Sequence, residues 1–424
     1  MRGIDAEVLE VLRVLEVLEV KSRALEDIEH LDHIEHLSHL EWPFFDEQHR
    51  SLAREIAKWA RAELWHSVEP VDVDAACRGL VRQLGEAGWL RYVVPAAYGG
   101  ARESLDTRSI CLLRETLATA NGLADFSFAM QGLGGGPIAL FGSDALKGRY
   151  LPAVARGTEI AAFAISEAGA GSDISAMQTV ARRDGDGFVL EGEKTWISNA
   201  GIADHYIVFA RLEDGKSARD GERRYIAVVA EAGDRGVEVS ERIDVSAPHP
   251  LGTVRFDGCR VSSSRVIGEP GAGLRIALAT LDHFRPTVGA AALGLARRAM
   301  EEACAWVSGR EVFGRPLADH QMTQARLADM AVLIDASALL VYRAAWTRDT
   351  TGRRTTREAA MAKLHATESA QRVIDDAVQL LGARGVRKGA IVERLYREIR
   401  ALRIYEGTSE IQKIVIAGTL AKGR

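Results

Sequence analysis

The sequence predicts an α+β chain in which helices, strands and helices follow one another as separate blocks. Three observations carry this. Apolar residues such as Leu52, Ile56, Trp59 and Ala60 recur at helical spacing within about 44–158. Short β-prone segments at 206–210 and 225–229 mark about 159–270, and Asp184-Gly185-Asp186-Gly187 sits between two more of them as a hairpin signal. Long Ala/Leu-rich stretches return from about 274. The expected organisation is an extension over 1–43, an N-terminal helical domain over 44–158, a middle domain over 159–272 built as a small β-barrel or sandwich, and a C-terminal four-helix bundle over 273–424.

The extension is of low complexity. Val-Leu-Glu or Val-Leu-Arg triplets repeat from Val8 to Glu19, and a period of three drifts around a helix instead of holding one apolar face. His30, His33, His36 and His39 also recur every third residue, without the convergent carboxylate or Cys partners a metal site needs, so no metal is expected. In the helical block, Pro95-Ala96-Ala97-Tyr98-Gly99-Gly100 and then Gly132-Leu133-Gly134-Gly135-Gly136-Pro137 are expected to break the pattern. In the last block, breaks are expected near Gly314-Arg315-Pro316, Thr350-Thr351-Gly352 and Gly382-Ala383-Arg384-Gly385.

Composition narrows the function. The 424 residues are 27% charged and 47% hydrophobic, an ordinary globular balance, and the net charge of -5 gives no field for nucleic acid. No apolar run approaches about 18 residues, so no membrane span is expected. The acidic N-terminus does not read as a signal or transit peptide. Cys77, Cys111, Cys259 and Cys304 are scattered and form no Cys-x-x-Cys, which points to a reducing, cytoplasmic compartment.

Nucleotide motifs are mostly excluded. No Gly-x-Gly-x-x-Gly joins a strand to a helix. Gly187, Gly192 and Lys194-Thr195 nearly spell a P-loop, but Glu193 spoils the spacing and the context is a hairpin. Gly169-Ala170-Gly171-Ser172-Asp173 reads either as a surface turn or as a loop that lets backbone approach a ligand. Trp196, taken alone, reads as core, and Arg310 as a helix-surface residue, although a guanidinium suits a phosphate pair.

Read together, these segments change meaning. Phe163 to Asp173, Trp196-Ile197-Ser198-Asn199, Arg310 to Leu317 with Gln321, Asp376 to Gly382, and Ile404-Tyr405-Glu406-Gly407-Thr408-Ser409 stand in an order and spacing that resembles the acyl-CoA dehydrogenase family of flavoproteins. The resemblance covers about 44–420 and implies FAD as cofactor. It implies that Phe163, Ser166, Trp196 and Ser198 meet the flavin and Ser172 the acyl carrier. Arg310, Phe313 and Gln321 would reach a diphosphate across a subunit interface, and Gln379, Gly382, Thr408 and Glu410 would also lie near FAD. Asp282 and Arg285 match positions that contact CoA or its pantetheine arm, and Gly407 leaves room for the ligand. Ser166 and Ser198 stand where Thr is usual, Ala168 where Pro is usual and Ala383 where Gly is usual.

Dehydrogenation between Cα and Cβ of a thioester needs a base for the Cα proton and an acceptor for the Cβ hydride, and no side chain serves as the acceptor. By resemblance, flavin N5 is that acceptor and Glu406 the base, with a pKa lifted by a dry site and its own amide supporting the thioester oxygen. The family's other base position corresponds to Phe284, which cannot take a proton and is expected to narrow the substrate pocket. Gln131 is expected to act as a helix-end cap or a polar pocket floor. The resemblance further implies acyl-CoA and fatty acid metabolism, an electron-transferring flavoprotein as acceptor, and a homotetramer arranged as a dimer of dimers. The alternatives are an acyl-carrier-protein thioester as substrate, a flavin oxidase or monooxygenase on the same fold, and a non-catalytic partner-binding protein.

Overall fold

The computed structural model describes residues 38–66, 69–214 and 224–421. The Val-Leu-Glu repeat and His30, His33 and His36 lie outside the described residues. The chain divides at Arg50 into a short N-terminal unit and a large one from Ser51. In the small unit His39 packs edge-on against Trp42 and Phe45, and Arg50 Nε donates to Leu40 O at 3.0 Å.

Among the described residues the α-helices before the sheet are α1 (Glu47–Glu63), α2 (Val73–Glu86), α3 (Thr107–Ala120), α4 (Gly122–Phe141) and α5 (Asp144–Arg156). The caps are written in the sequence. Asp72, Asp106, Asn121 and Ser143 each accept a hydrogen bond from a backbone N–H of the following first turn.

The expected break at Gly132–Pro137 does not occur, because α4 runs through it to Phe141. The glycines serve packing instead. A Cβ on Gly132 or Gly136 would sit 2.9 or 2.8 Å from the ring of Phe284, and one on Gly134 would meet Ala161 at 2.6 Å. Bare backbone on this face lets the neighbouring elements seat against α4, and that burial outweighs the poor helix propensity. Phe284 accordingly fills the groove between Gly132 and Gly136 instead of narrowing a substrate pocket. Gln131 is neither cap nor pocket floor. It is fully buried, donates to Glu159 O at 2.9 Å and accepts from Ala161 N at 2.8 Å, tying α4 to the first strand.

The middle part is one curled mixed sheet of seven strands: β1 (Ala161–Ala164), β2 (Val180–Asp184), β3 (Gly187–Ser198), β4 (His205–Glu213), β5 (Tyr225–Glu231), β6 (Val237–Arg242) and β7 (Leu251–Ser262). β1 and β2 share one edge of β4 in parallel and β5 takes the other edge antiparallel. β2 and β3 form the expected hairpin, with Asp184 opposite Gly187 and Gly185 at φ 60°.

A small hairpin, β8 (Glu311–Val312) with β9 (Arg315–Pro316), separates two long helices. The C-terminal bundle consists of α6 (Gly273–Gly309), α7 (Gln321–Thr351), α8 (Thr356–Leu381) and α9 (Ile391–Leu402), and a further helix, α10 (Ser409–Ala421), packs on α8. Gly294 lets α6 approach α3 closely, since a Cβ there would lie 2.1 Å from Glu115 O. Gly294→Ala should therefore force the helices apart and cost about 1–3 kcal/mol, read as a lower denaturation midpoint. Among the described residues no helix is long and apolar enough to cross a membrane, and no group of three or more His, Cys, Asp or Glu is placed to hold a metal ion.

Candidate active site

The site begins at an irregularity in β3. Lys194 pairs with Val254 and Ile197 with Gly252, so Thr195 and Trp196 together oppose Thr253 as a β-bulge. A bulge bends its strand and re-aims a side chain. Trp196 takes φ 59° and, though large and apolar, stays 58% exposed at a cavity wall. Asn199 follows at φ 66°, with its N–H on Pro250 O and its Nδ2 on Ala161 O.

A buried ion pair fixes the loop beneath. Lys194 Nζ donates to Glu167 Oε1 at 2.8 Å and to Ile165 O at 3.0 Å, while Glu167 accepts from Gln178 N and Thr179 N. Thr195 N donates to Ser166 O, stitching the loop to the bulge. Lys194, the lysine of the P-loop near-miss, is thus an internal clamp. Burial pushes its pKa down to about 8 against the pull of Glu167. Lys194→Met would strand the Glu167 carboxylate. The expected loss is about 3–5 kcal/mol together with weaker flavin retention, measured by melting and by flavin content after gel filtration.

The second wall is the turn between α9 and α10. Glu406 sits at φ 54° and Gly407 at φ 94°. Three side chains hold this turn by its carbonyls. Arg285 Nε reaches Glu406 O at 3.4 Å, Lys363 Nζ reaches Gly407 O at 2.7 Å, and Gln412 Nε2 bonds both. The Glu406 carboxyl keeps one oxygen, Oε2, buried without a hydrogen-bond partner. Burial raises its pKa above the usual carboxylate range, and Arg114, Lys363 and Arg285 oppose the rise. Burial likewise pushes Lys363 down to about 8, with Glu406 pulling it back up.

Four residues depart from φ < 0 without being glycine among the described residues: Trp196, Asn199, Phe313 and Glu406. Each such conformation costs about 1–3 kcal/mol and persists where surrounding structure enforces it, typically at functional sites. Three of the four are candidate site residues read from the sequence, and the fourth, Asn199, directly follows Ser198.

A cavity of about 250 Å³ lies between these walls. It brings together Phe163, Ser166, Ser172, Trp196, Ser198, Arg285, Glu406 and Gly407. Asp282 is not on its lining. It is buried behind Arg285, bonded to Arg285, Arg354 and Thr356, and borders a second cleft of about 450 Å³ with Arg348, Arg353 and Arg354. Arg310, Phe313, Gln321, Gln379, Gly382, Thr408 and Glu410 are also off the lining. Phe313, at the tip of the β8–β9 hairpin, is 98% exposed. Thr408 Oγ1 accepts from Ile411 N at the start of α10.

The sequence reading missed Arg114, Asp125, Lys363, Gln412, Phe126 and His249. Arg114 is buried on the cavity wall, with Nε and Nη2 on the two Asp125 oxygens at 2.8 and 2.9 Å and Nη1 on Thr287 at 3.0 Å. The available signal was a charge inside the apolar run Ile110-Cys111-Leu112-Leu113-Arg114, since an arginine is fully buried only when paired.

The cavity wall fits a flavin ring. Trp196 offers an aromatic face, Ser166 and Ser198 offer hydroxyls, and Glu406 lines the same space.

The chain is similar to known proteins along most of its length. The chain matches family profiles described as acyl-CoA dehydrogenase N-terminal domain at 46–158, middle domain at 162–259 and C-terminal domain at 271–421. It is 36% identical to a 3-(aryl)acrylate reductase of Clostridium sporogenes over 383 residues, covering 89% of this chain and 100% of that one. It is also 36% identical to the mitochondrial short-chain specific acyl-CoA dehydrogenase of Bos taurus over 380 residues, covering 89% and 90%. The structure of butyryl-CoA dehydrogenase from Megasphaera elsdenii superposes with a TM-score of 0.82 at 31% identity, covering 89% of this chain and 99% of that one.

Proposed function

The chain belongs to the acyl-CoA dehydrogenase family, FAD-dependent oxidoreductases of acyl-CoA thioesters, and from that premise we propose that Glu406 is its catalytic base. The observation that carries the assignment is a buried carboxylate oxygen without a partner, on a strained turn, at the cavity that Trp196 and Ser198 also line. FAD, when bound, supplies the two-electron acceptor for the hydride leaving Cβ. The Glu406 carboxylate takes the Cα proton. Burial makes the carboxylate a stronger base than an exposed one, and Arg114 and Arg285 keep enough of it ionised to act. Arg285, Lys363 and Gln412 fix the turn, so the Glu406 amide is held in place to support the thioester oxygen.

The acyl group lies along the apolar wall of α4, and the phosphates of CoA run toward Arg353 and Arg354 in the second cleft beside Asp282. Ser172 meets the carrier arm at the cavity's edge. The domain limits remain 44–158, 159–272 and 273–424, with 1–43 as an extension. Arg310, Phe313 and Gln321 stand away from their own cavity on an exposed hairpin and helix start, which suits a reach into a neighbour's FAD and a dimer of dimers. Gln379, Gly382, Thr408 and Glu410 approach the remainder of FAD. The electron acceptor is an electron-transferring flavoprotein, the setting is fatty acid metabolism, and the compartment is the cytoplasm, consistent with cysteines that form no disulfide among the described residues.

The test is an anaerobic titration of the purified protein with saturated thioesters. Bleaching of the flavin absorbance by a CoA ester is the expected result. A flavin that stays oxidised with every CoA ester but is reduced by an acyl-carrier-protein ester would move the substrate to the carrier protein. A protein that holds no flavin even with FAD added would overturn the reading.

A further inference from the structure

We propose that the packed, mutually tilted rings of Phe126 and His249 close the acyl end of the catalytic cavity and confine the enzyme to short acyl groups, with an unused chamber directly behind them. This deepens the dehydrogenase reading and rests on it. Phe126, Ala129, Met130 and Leu133 follow one another at i, i+3, i+4 and i+7 on α4 and form one apolar stripe on the cavity wall. Phe126 is the last of them toward the helix N-terminus. His249 arrives from the opposite side, on the loop between β6 and β7, and its ring centroid lies 4.5 Å from that of Phe126.

Behind the pair lies a chamber of about 90 Å³, with Gly122, Leu123, Leu295 and Leu402 on its apolar side and Arg394, Arg397 and Glu398 on its polar side. The chamber and the catalytic cavity share three lining residues, Phe126, His249 and Tyr405, so these side chains form the partition.

The partition is pinned. His249 stands between Pro248 and Pro250, whose rings restrict the backbone on both sides. Asn199 N donates to Pro250 O at 2.9 Å, and His249 Nδ1 lies 3.0 Å from Ala247 O. Burial lowers the pKa of His249, so the imidazole is neutral near pH 7 and presents an uncharged surface to an alkyl chain. A chain that grows along the α4 stripe therefore meets a fixed aromatic wall, not a flexible side chain that can swing aside.

The test is the acyl-length dependence of binding and turnover for the flavin-loaded enzyme, using straight-chain thioesters of stepwise greater length. Wild-type enzyme should bind and oxidise short chains and lose both as the chain lengthens. Phe126→Ala and His249→Ala each join the chamber to the cavity. The longest accepted chain should then grow by about two to four carbons, a length matched to a space of about three water volumes. The ratio of kcat/KM for long over short chains should rise about 10–100-fold. Binding of the 2-enoyl products by calorimetry should move in parallel, without depending on chemistry. His249→Phe keeps the wall and should leave the length limit in place. If both alanine variants melt cooperatively, retain flavin and keep the wild-type length limit, the proposal is wrong, and it is equally wrong if wild type takes long chains as well as short ones. Should wild type bind no thioester of any length, the dehydrogenase reading itself falls, which is a separate result. Because the two alanine substitutions lie on different elements, misfolding of one leaves the other to decide.

Discussion

Glu406→Gln is expected to abolish thioester-driven bleaching while the purified protein stays yellow. Glutamine fills the same space and leaves the turn's carbonyls with Arg285, Lys363 and Gln412, so the site keeps its shape. What disappears is the group that can take a proton. Loss of a positioned general base costs about 10²–10⁴ in rate, read as the rate of flavin reduction in a stopped-flow experiment. A variant that still reduces at near wild-type rate would remove Glu406 from the mechanism. The pH dependence carries a second sign. The base acts ionised, so wild-type kcat/KM should rise with pH through a pKa displaced above the ordinary carboxylate range. Folding runs the other way. A carboxyl whose folded pKa is raised is most favourable below its unfolded value, and that advantage fades as pH rises through the folded pKa. Relative to Glu406→Gln, wild type should therefore lose stability as the pH climbs, which chemical denaturation at several pH values would show.

The order of helices, strands and helices was legible because apolar periodicity and turn chemistry act locally. Asp72, Asp106 and Asn121 cap the helices they precede, and the Gly185-Asp186 turn closes its hairpin as its residues demand. The helix through Gly132–Pro137 was not legible. Its glycines are there for Phe284 and Ala161, which lie far away in sequence, and propensity alone reads them as a break. The same limit applies to the site. Trp196, Ser198 and Glu406 lie in recognisable strings, but the bulge that aims Trp196 depends on the register of β3 against β7. Arg114, Lys363 and His249 occur in no motif at all. They matter because three separate elements bring them to one cavity and one turn, and such convergence has no one-dimensional signature.

Arg114 shows what that convergence does, and its removal should have the second large effect. Arg114→Met leaves the Asp125 carboxylate buried beside the cavity without its fork of donors. Breaking a buried pair on one side costs about 3–5 kcal/mol, and a lower denaturant midpoint would record it. The catalytic consequence is separable. Arg114 favours the ionised form of Glu406, so its loss should move the rise of kcat/KM to higher pH, whereas Asp125 acts in the opposite sense, and Asp125→Asn should move that rise to lower pH. Replacing both partners, as Arg114→Met with Asp125→Leu, removes the orphaned charge and should restore most of the stability. The pH profile of this double variant should nevertheless stay displaced upward, because Arg114 is the larger of the two influences on Glu406. A double variant that regains both stability and the wild-type pH profile would reduce the pair to a packing element. Recovered stability with a displaced profile would mean that the helix-borne ion pair sets the working pH of a base on a turn nearly 300 residues further along the chain.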